Sequence, residues 1–332
     1  MSKIKVAING FGRIGRLVLR AALESGRQDL EFVAINDLAP AEQNAYLLEY
    51  DSVHGKLPMD VKLDGDMIVV GDHKIKCFAE KDPTKLPWGE MGVDIVMECT
   101  GIFATADKAK VHLDCGAKRV LISAPADGAD KTIVFGVNEN TLTKDDKIVS
   151  NASCTTNCLA PMAQVLDEKF GIVDGWMTTI HSYTGDQQLL DKAHKDPRRA
   201  RAAAMSMIPT STGAAKAIGL VLPKLEGKLD GTAIRVPTPD VSIVELVATV
   251  SKPATVADIN AAMRAAESNI LGYSQKPLVS IDFTHDAHSS IFDGTMTKIV
   301  GGKLVHVAAW YDNEWGFSNR MCDTAAEIGK LL

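Results

Sequence analysis

The residue best suited to nucleophilic chemistry is a cysteine at the start of a predicted helix. Cys154 lies in the run Ser150-Asn-Ala-Ser-Cys-Thr-Thr-Asn-Cys158, a hydroxyl-rich turn that precedes the helix-like segment Leu159–Leu166. The first N–H groups of a helix carry partial positive charge, which stabilises a thiolate. We therefore expect the pKa of Cys154 to lie below the free value of about 8.5. The alternative is that Cys154 and Cys158 are small buried apolar residues.

A base for this thiol is predicted further along the chain. Of the eight histidines, His181 alone combines the end of a predicted strand with a polar turn, Ser182-Tyr-Thr-Gly185. A neutral imidazole beside Cys154 would take the thiol proton and later act as acid or base on the reacting oxygen. A structural role for His181 stays open, because the sequence alone does not bring the two side chains together.

Groups that bind anions are scattered through the same part of the chain. Hydroxyls flank the cysteine and follow the histidine, a Ser-Thr-Gly run opens a helix, and arginines add positive charge. Arg forks and helix N-termini are the donors that phosphate-sized anions require. The alternative is a solvated charged stretch. The residues are Ser153, Thr155, Thr184, Arg198 to Arg201, Ser211-Thr-Gly213 and Arg235.

A glycine motif near the N-terminus predicts a dinucleotide site. Gly10, Gly12 and Gly15 form Gly-x-Gly-x-x-Gly between the predicted strand Lys3–Ile8 and the predicted helix Arg16–Leu23. Gly10 permits a tight turn, Gly12 lets the backbone approach a pyrophosphate, and Gly15 lets the helix pack closely on the strand. The helix N-terminus would supply the anion site.

An acidic residue at the right spacing strengthens this prediction. Asp37 follows the predicted strand Glu31–Asn36 and lies 22 residues past Gly15. A carboxylate there accepts hydrogen bonds from the adenosine ribose hydroxyls. No arginine that could neutralise a 2′-phosphate lies nearby, so the sequence favours NAD over NADP.

The remaining elements predict an α/β chain of two domains, as 332 residues lead us to expect. Up to residue 153, βα alternation indicates a Rossmann dinucleotide-binding domain. Residues 154–316 would form an α+β catalytic domain with a mixed, largely antiparallel sheet, and a helix at 317–332 would pack back on the first domain. Met67–Val70 with Lys74–Phe78 reads as a small hairpin insertion. Predicted later strands are Trp176–His181, Thr232–Val236, Val241–Val250, Leu278–Asp282 and Leu304–Trp310.

Composition excludes several classes of protein. The chain is 46% hydrophobic and 23% charged, with a formal net charge of −6, which is typical of a globular protein and argues against nucleic-acid binding. No apolar run reaches 18 residues, so we expect no membrane association. The six cysteines show no CxxC pairing and indicate reduced thiols in the cytoplasm.

Taken together, the motifs resemble those of the phosphorylating glyceraldehyde-3-phosphate dehydrogenase family from end to end. The resemblance is carried by the runs Ala7-Ile-Asn-Gly-Phe-Gly-Arg-Ile-Gly-Arg16, Ser150–Cys158, His181-Ser-Tyr-Thr184, Pro209-Thr-Ser-Thr-Gly-Ala-Ala-Lys216, Arg235-Val-Pro-Thr-Pro239 and Trp310-Tyr-Asp-Asn-Glu-Trp-Gly316. It implies a cytoplasmic homotetramer, active in glycolysis and gluconeogenesis. The implied reaction oxidises D-glyceraldehyde 3-phosphate with NAD and inorganic phosphate to 1,3-bisphosphoglycerate.

The resemblance also implies individual roles. Cys154 would form a hemithioacetal and then a thioester, with His181 as acid and base. Thr184 and Arg235, with Arg199 nearby, would hold the phosphate of the substrate, and Ser153, Thr155, Thr212 and Gly213 the attacking phosphate. NAD would be held by Gly10, Gly12, Arg13, Ile14, Gly15, Asp37, Lys81, Ser123 and Asn313, and no metal is implied. The segment 183–207 would lie against the cofactor of a neighbouring subunit.

Two departures from the family pattern and two competing functions stay open. Ala193 stands where NAD-specific relatives commonly carry proline, and Lys81 where many carry arginine; the first could loosen discrimination against NADP. The nearest competing function is an erythrose-4-phosphate dehydrogenase, which hydrolyses its thioester with water. A more distant one is a non-catalytic NAD-binding redox sensor in which Cys154 is an oxidisable thiol.

Overall fold

The computed structural model describes residues 3–332, and the chain divides into two compact units. The first contains residues Met1–Ser153 together with Ser318–Leu332, and the second contains Cys154–Phe317. No helix within residues 3–332 is both long and apolar enough to cross a membrane.

The first unit is built on a nine-stranded sheet. Its larger strands are β1 (Ile4–Asn9), β2 (Leu30–Asn36), β5 (Val61–Asp64), β6 (Met67–Val70), β7 (His73–Phe78), β8 (Ile95–Glu98) and β9 (Arg119–Ile122), with the short β10 (Lys131–Thr132) and β11 (Ile148–Ser150). The small pair β3 (Tyr50–Asp51) and β4 (Gly55–Lys56) stands apart. The order across the sheet is β10, β11, β9, β8, β1, β2, β7, β6, β5.

The central strands of this sheet are parallel, as the βα alternation predicts. All four residues of β8 and of β9 are buried, which is the pattern of strands covered on both faces. The connecting helices are α1 (Arg13–Glu24), α2 (Ala41–Glu49) and α3 (Ala106–Asp114). The predicted Rossmann architecture is confirmed.

The glycine turn between β1 and α1 shows why each glycine is needed. Gly10 has φ +91°, a left-handed conformation that side chains rarely adopt. A Cβ atom on Gly15 would lie 2.1 Å from the carbonyl oxygen of Gly10, so the helix approaches the turn too closely for any side chain. A Cβ atom on Gly12 would meet nothing within 4 Å. Gly12 therefore presents bare backbone to open space.

The hairpin prediction needs correction. β6 and β7 do pair antiparallel, but β7 also pairs parallel with β2, and β5 adds to β6. The segment is therefore the edge of the main sheet and not a separate insertion. The apolar residues Ile68, Val70 and Ile75 are fully buried, which draws the hairpin into the core.

The C-terminal helix, α7 (Trp315–Gly329), completes the first unit from Ser318 onward. The hydroxyl of Thr324 donates to Asn151 Oδ1 at 2.7 Å, and Arg27 Nη1 lies 3.0 Å from Asp323 Oδ1. A buried hydroxyl–amide bond and a partly buried ion pair thus tie α7 to distant parts of the same unit.

The second unit is an eight-stranded mixed sheet with three helices. The strands are β12 (Ile172–Ser182), β13 (Ile208–Ser211), β14 (Leu229–Val236), β15 (Ser242–Val250), β16 (Leu271–Ser274), β17 (Ser290–Asp293), β18 (Lys298–Val300) and β19 (Leu304–Tyr311). The helices are α4 (Cys154–Phe170), α5 (Ala214–Val221) and α6 (Val256–Ala265). The order is β13, β14, β12, β15, β19, β17, β16, with β18 beside β19. Most pairs are antiparallel, which confirms the predicted α+β class.

One predicted strand is wrong. Leu278–Asp282 does not join the sheet, and Ser280–Phe283 forms a 3-10 helix instead. The carboxylate of Asp282 accepts the N–H of Val279 at 2.9 Å, so a local side-chain contact closes a turn. A short apolar run next to a proline can adopt either structure, and here the local hydrogen bond decides.

The glycine turn gives a stability prediction. Gly15→Ala should lower the free energy of unfolding by about 1–3 kcal/mol, because the added Cβ must displace the Gly10 carbonyl. Thermal denaturation measures the effect. Gly12→Ala is the control, since its Cβ meets no atom within 4 Å and its φ of −71° suits alanine. Equal melting temperatures for Gly15→Ala and the wild type would refute the packing role.

Candidate active site

The second unit brings Cys154 and His181 together. Cys154 is the first residue of α4, and His181 is the penultimate residue of β12. The Sγ atom of Cys154 lies 3.5 Å from Nε2 of His181, within hydrogen-bonding distance for sulfur. The thiol and the imidazole therefore form the predicted pair, and the imidazole is buried.

The hydrogen bonds of His181 decide which ring nitrogen faces the thiol. Nδ1 lies 2.7 Å from the carbonyl oxygen of Ser182, which can only accept. Nδ1 must therefore carry the proton, and Nε2 presents its lone pair to Cys154. Arg235 Nη1 also lies 3.2 Å from Nδ1, but both of these atoms are donors, so this contact is not a hydrogen bond. Arg235 Nη1 instead donates to the same Ser182 oxygen at 3.1 Å.

Burial has opposite effects on the two groups. It lowers the pKa of His181 to about 3, with the positive charge of Arg235 acting in the same direction. It raises the pKa of the Cys154 thiol, and the charge of Arg235 and the hydrogen bonds of Thr155 only partly oppose this. The expected pKa below the free thiol value is therefore corrected: desolvation is the larger effect here. His181 is consequently a neutral base at physiological pH.

Tyr311, to which the sequence motifs assign no role, packs beside the Cys154–His181 pair. Tyr311 Oη lies 2.9 Å from the hydroxyl of Thr155 and 3.0 Å from that of Thr179. Its ring meets the imidazole of His181 edge-on, at 5.9 Å between centroids. Tyr311 thus links the first turn of α4 to the strand that carries the base. The only sequence signal was its place within the Trp310–Gly316 run.

The predicted anion donors gather around the same histidine. Arg235 Nη1 lies 3.3 Å from the Thr184 hydroxyl, and the Nε of Arg235 is buried without a hydrogen-bond partner. Arg199 contributes to the electrostatics of both Arg235 and His181. Its guanidinium is held by Asp186 Oδ2 at 2.7 Å and by the Thr210 hydroxyl at 3.0 Å.

The other predicted donors lie at helix starts. Thr212 and Gly213 precede α5, where the Thr212 hydroxyl accepts the N–H of Ala214 at 3.2 Å. Ser153 immediately precedes α4, after Ala152, which adopts an unusual positive φ of 56°. The left-handed residue turns the chain sharply into the helix that begins with Cys154.

Asn313 is held in one orientation by two serines. The hydroxyls of Ser182 and Ser242 both donate to Asn313 Oδ1, at 2.9 and 2.7 Å. The Ser242 hydroxyl also accepts the N–H of Ser182 at 3.0 Å. Since Oδ1 is the acceptor in both contacts, Nδ2 is the amide atom that can donate to a ligand.

The first unit contains a cavity of about 540 Å³ at the carboxyl ends of β1, β2 and β8. Gly10, Gly12, Asp37 and Lys81 line it, as predicted for the dinucleotide site. Asp37 Oδ2 accepts the N–H of Phe11 at 2.8 Å, which fixes the carboxylate at the mouth of the glycine turn. A carboxylate retains further lone pairs for ribose hydroxyls.

Four other predicted cofactor residues of the first unit do not line this cavity. Arg13 Nη1 instead pairs with Asp51 Oδ2 at 2.5 Å, which also helps to hold the pKa of Asp51 at about 2. Ile14 and Gly15 lie in the first turn of α1, and Ser123 follows β9. The Arg13 side chain is thus engaged by Asp51. Ile14 could reach a ligand at the turn only through its backbone, and Gly15 would contribute by letting the helix pack closely on the turn.

Comparison with known proteins decides the family. Residues 4–106 match the model described as the NAD binding domain of glyceraldehyde 3-phosphate dehydrogenase, and residues 153–313 match the C-terminal domain of the same enzyme. The chain belongs to the glyceraldehyde-3-phosphate dehydrogenase family. It is 62% identical to the enzymes named glyceraldehyde-3-phosphate dehydrogenase of Cereibacter sphaeroides and of Xanthobacter flavus, with 99% of each chain covered. The corresponding enzyme 1 of Bacillus subtilis is 56% identical over 98% of each chain.

Family membership makes the chain an NAD-dependent oxidoreductase. The residues present fit the cofactor: Gly12 offers bare backbone beside a cavity large enough for part of a dinucleotide, and a carboxylate stands at the end of β2. These are the features that a pyrophosphate and a ribose require.

The contact between Arg235 and the Cys154–His181 pair gives a testable prediction. Arg235→Leu should raise the pKa of the Cys154 thiol further, because the charge that favours the thiolate is removed. The rate of alkylation by iodoacetamide as a function of pH measures this pKa. Arg198→Leu, an exposed arginine of the neighbouring segment, is the matched control and should leave the profile unchanged. An unshifted profile for Arg235→Leu would contradict the assignment.

Proposed function

We propose that this chain oxidises D-glyceraldehyde 3-phosphate with NAD and inorganic phosphate to 1,3-bisphosphoglycerate, the reaction of glycolysis and gluconeogenesis. One observation carries the proposal: the lone pair of His181 Nε2 faces Cys154 Sγ at 3.5 Å. A neutral base directed at a nucleophile is what covalent aldehyde chemistry requires.

The chain's own residues account for the covalent steps. Nε2 of His181 takes the thiol proton as Cys154 Sγ bonds to the aldehyde carbon, and the imidazolium returns that proton to the new oxyanion. The backbone N–H of Cys154 and the His181 ring stabilise the oxyanion meanwhile. When bound, NAD supplies the hydride acceptor. His181 then removes the hydroxyl proton, which leaves a thioester on Cys154.

Phosphate completes the reaction. One of its oxygens attacks the thioester carbon, the carbon–sulfur bond breaks, and Cys154 leaves as a thiolate. The proton on His181 returns to that sulfur, so both groups regain their starting forms. Dividing the reaction at the thioester replaces one difficult step with two easier ones.

The two phosphates would bind through different donors. Thr184 and Arg235, with Arg199, are proposed to hold the phosphate of the substrate, and the buried Nε of Arg235 supports this assignment. Ser153, Thr155, Thr212 and Gly213 are proposed to hold the attacking phosphate at the starts of α4 and α5.

The predicted cofactor residues are assigned to different parts of NAD. Gly10, Gly12, Arg13, Ile14 and Gly15 would bind the pyrophosphate, mainly through backbone groups. Asp37 and Lys81 would bind at the adenosine side of the cavity, where the carboxylate and the absence of a lining arginine favour NAD over NADP. The remaining proposed contacts are Ser123 and, for the nicotinamide amide, Asn313.

We further propose a homotetramer in the cytoplasm. Leu189, Leu190, Met205 and Met207 all belong to the segment proposed to meet a neighbouring subunit and are between 74% and 90% exposed. Apolar side chains concentrated in one surface segment favour association. The six cysteines are free thiols, as a reducing compartment would keep them.

A stopped-flow experiment with glyceraldehyde 3-phosphate, NAD and varied phosphate tests the mechanism. Cys154→Ser should abolish the burst of NADH while NAD still binds. Cys158→Ser is the matched control, because this thiol is buried against Ser290 and the Ala309 carbonyl and should not react. Turnover independent of phosphate, with erythrose 4-phosphate as the better aldehyde, would favour the competing dehydrogenase. A burst retained by Cys154→Ser would refute the proposed nucleophile.

The assembly is tested by sedimentation velocity. Leu189→Glu should shift the population from tetramer to smaller species, because a carboxylate would be buried in the proposed contact. Ile281→Glu, at another exposed apolar position outside the segment, should leave the tetramer intact. Identical sedimentation of the two variants would argue against a contact through 183–207.

A further inference from the structure

A buried polar cluster that the mechanism does not use lies next to the cavity of the first unit. Its centre is Glu98, the last residue of β8, which is 1% exposed. Glu98 Oε2 accepts from Asn9 Nδ2 at 2.6 Å and from His112 Nε2 at 2.9 Å. Glu98 Oε1 accepts from the backbone N–H of Thr100 at 2.7 Å and from its hydroxyl at 2.5 Å. Four donors thus converge on one carboxylate.

A tryptophan fixes the direction of these hydrogen bonds. The indole Nε1–H of Trp88 can only donate, and it lies 3.2 Å from His112 Nδ1. Nδ1 is therefore an acceptor, so the proton of His112 is on Nε2 and points to Glu98. Trp88 and His112 are both fully buried, so bulk water does not compete for the hydrogen bonds that fix this tautomer. Both oxygens of Glu98 consequently accept hydrogen bonds from nitrogen donors.

The cluster continues from Glu98 to the wall of the cavity. Because Asn9 Nδ2 is committed to Glu98, its Oδ1 faces Asn36 Nδ2, at 2.8 Å. Asn36 Oδ1 in turn accepts the backbone N–H of Glu80 at 2.9 Å. Asn9, Asn36, Glu80 and Thr100 all line the cavity, whereas Glu98 does not. The carboxylate thus sets the orientation of the Asn9 amide, and Asn9 contacts Asn36, whose Nδ2 also donates to the Glu80 carbonyl at 3.0 Å.

We infer that Glu98, held by His112 and Trp88, is a positioning residue for the adenosine portion of the dinucleotide. It acts through Asn9, Asn36 and Thr100 and does not touch the ligand. The inference rests on NAD as the cofactor of the proposed function, and it adds an assignment for three buried residues that the glycine motif and Asp37 do not cover.

The physical reason is the cost of a wrongly directed donor. In Glu98→Gln an amide NH₂ replaces one of the two carboxylate oxygens. In one orientation it faces the donors of Asn9 and His112, and in the other it faces the backbone N–H of Thr100. In both orientations one donor meets another. His112 does not relieve the conflict by changing tautomer, since Trp88 already donates to Nδ1. A buried donor without an acceptor is costly, so the Asn9 amide should reverse and disturb Asn36.

Isothermal titration of the full-length protein with NAD and with ADP-ribose tests the inference. Both should bind Glu98→Gln at least about tenfold more weakly, because ADP-ribose shares the adenosine portion. His112→Gln places an amide donor near the position of Nε2, so its affinities for NAD and ADP-ribose should stay within about threefold of the wild type. His112→Leu offers no donor there, and its affinities should fall as in Glu98→Gln. This pair decides the question if Glu98→Gln fails to fold.

Val96→Ala separates positioning from stability. Val96 lies on the same strand and packs with Trp88 in the core, so its truncation should lower the melting temperature but preserve both affinities. Wild-type affinity in Glu98→Gln, or equal losses in His112→Gln and His112→Leu, would overturn the inference. The titration does not depend on turnover of glyceraldehyde 3-phosphate, so failure of the proposed reaction is distinguishable from failure of this assignment.

Discussion

The chemistry of this protein depends on one buried hydrogen bond, from His181 Nδ1 to the carbonyl oxygen of Ser182. That bond places the ring proton away from Cys154 and leaves the Nε2 lone pair facing the thiol. Burial keeps the imidazole uncharged, since desolvation lowers its pKa to about 3. The same burial raises the pKa of the thiol. The pair therefore rests in its neutral form, and in the proposed mechanism it exchanges a proton only as bonds to the substrate form.

Arg235 connects this acid–base pair to the anion donors. Its Nη1 donates to the Ser182 carbonyl that orients His181 and lies near the Thr184 hydroxyl. The guanidinium therefore favours the thiolate of Cys154 and opposes protonation of His181 at the same time. An anionic substrate bound to Arg235 would weaken both effects by neutralising the charge. In the proposed function, substrate binding and thiol reactivity would thus be coupled through one side chain.

The sequence predicted the elements that depend on local rules and missed those that depend on distant neighbours. The turn role of Gly10 and the packing role of Gly15 were predicted correctly, because a positive φ and a close approach exclude side chains. Leu278–Asp282 was misassigned because a single turn-closing carboxylate outweighs a short apolar run. The raised pKa of Cys154 was missed because the helix N-terminus is visible in sequence, whereas the burial that outweighs it comes from other elements. The role of Tyr311 was not predicted because its partners, Thr155 and Thr179, are also distant in the sequence.

The direction of side-chain amides and imidazoles is the part of the site that no motif encodes. Asn313 presents Nδ2 because the hydroxyls of Ser182 and Ser242 both occupy its oxygen. His181 presents Nε2 because a carbonyl occupies Nδ1. In each case the backbone places the group, and the role of a buried partner as donor or acceptor decides which atom faces a ligand. A substitution that preserves shape and reverses that role can therefore cost more than one that removes volume, since a misdirected buried donor has no water to relieve it.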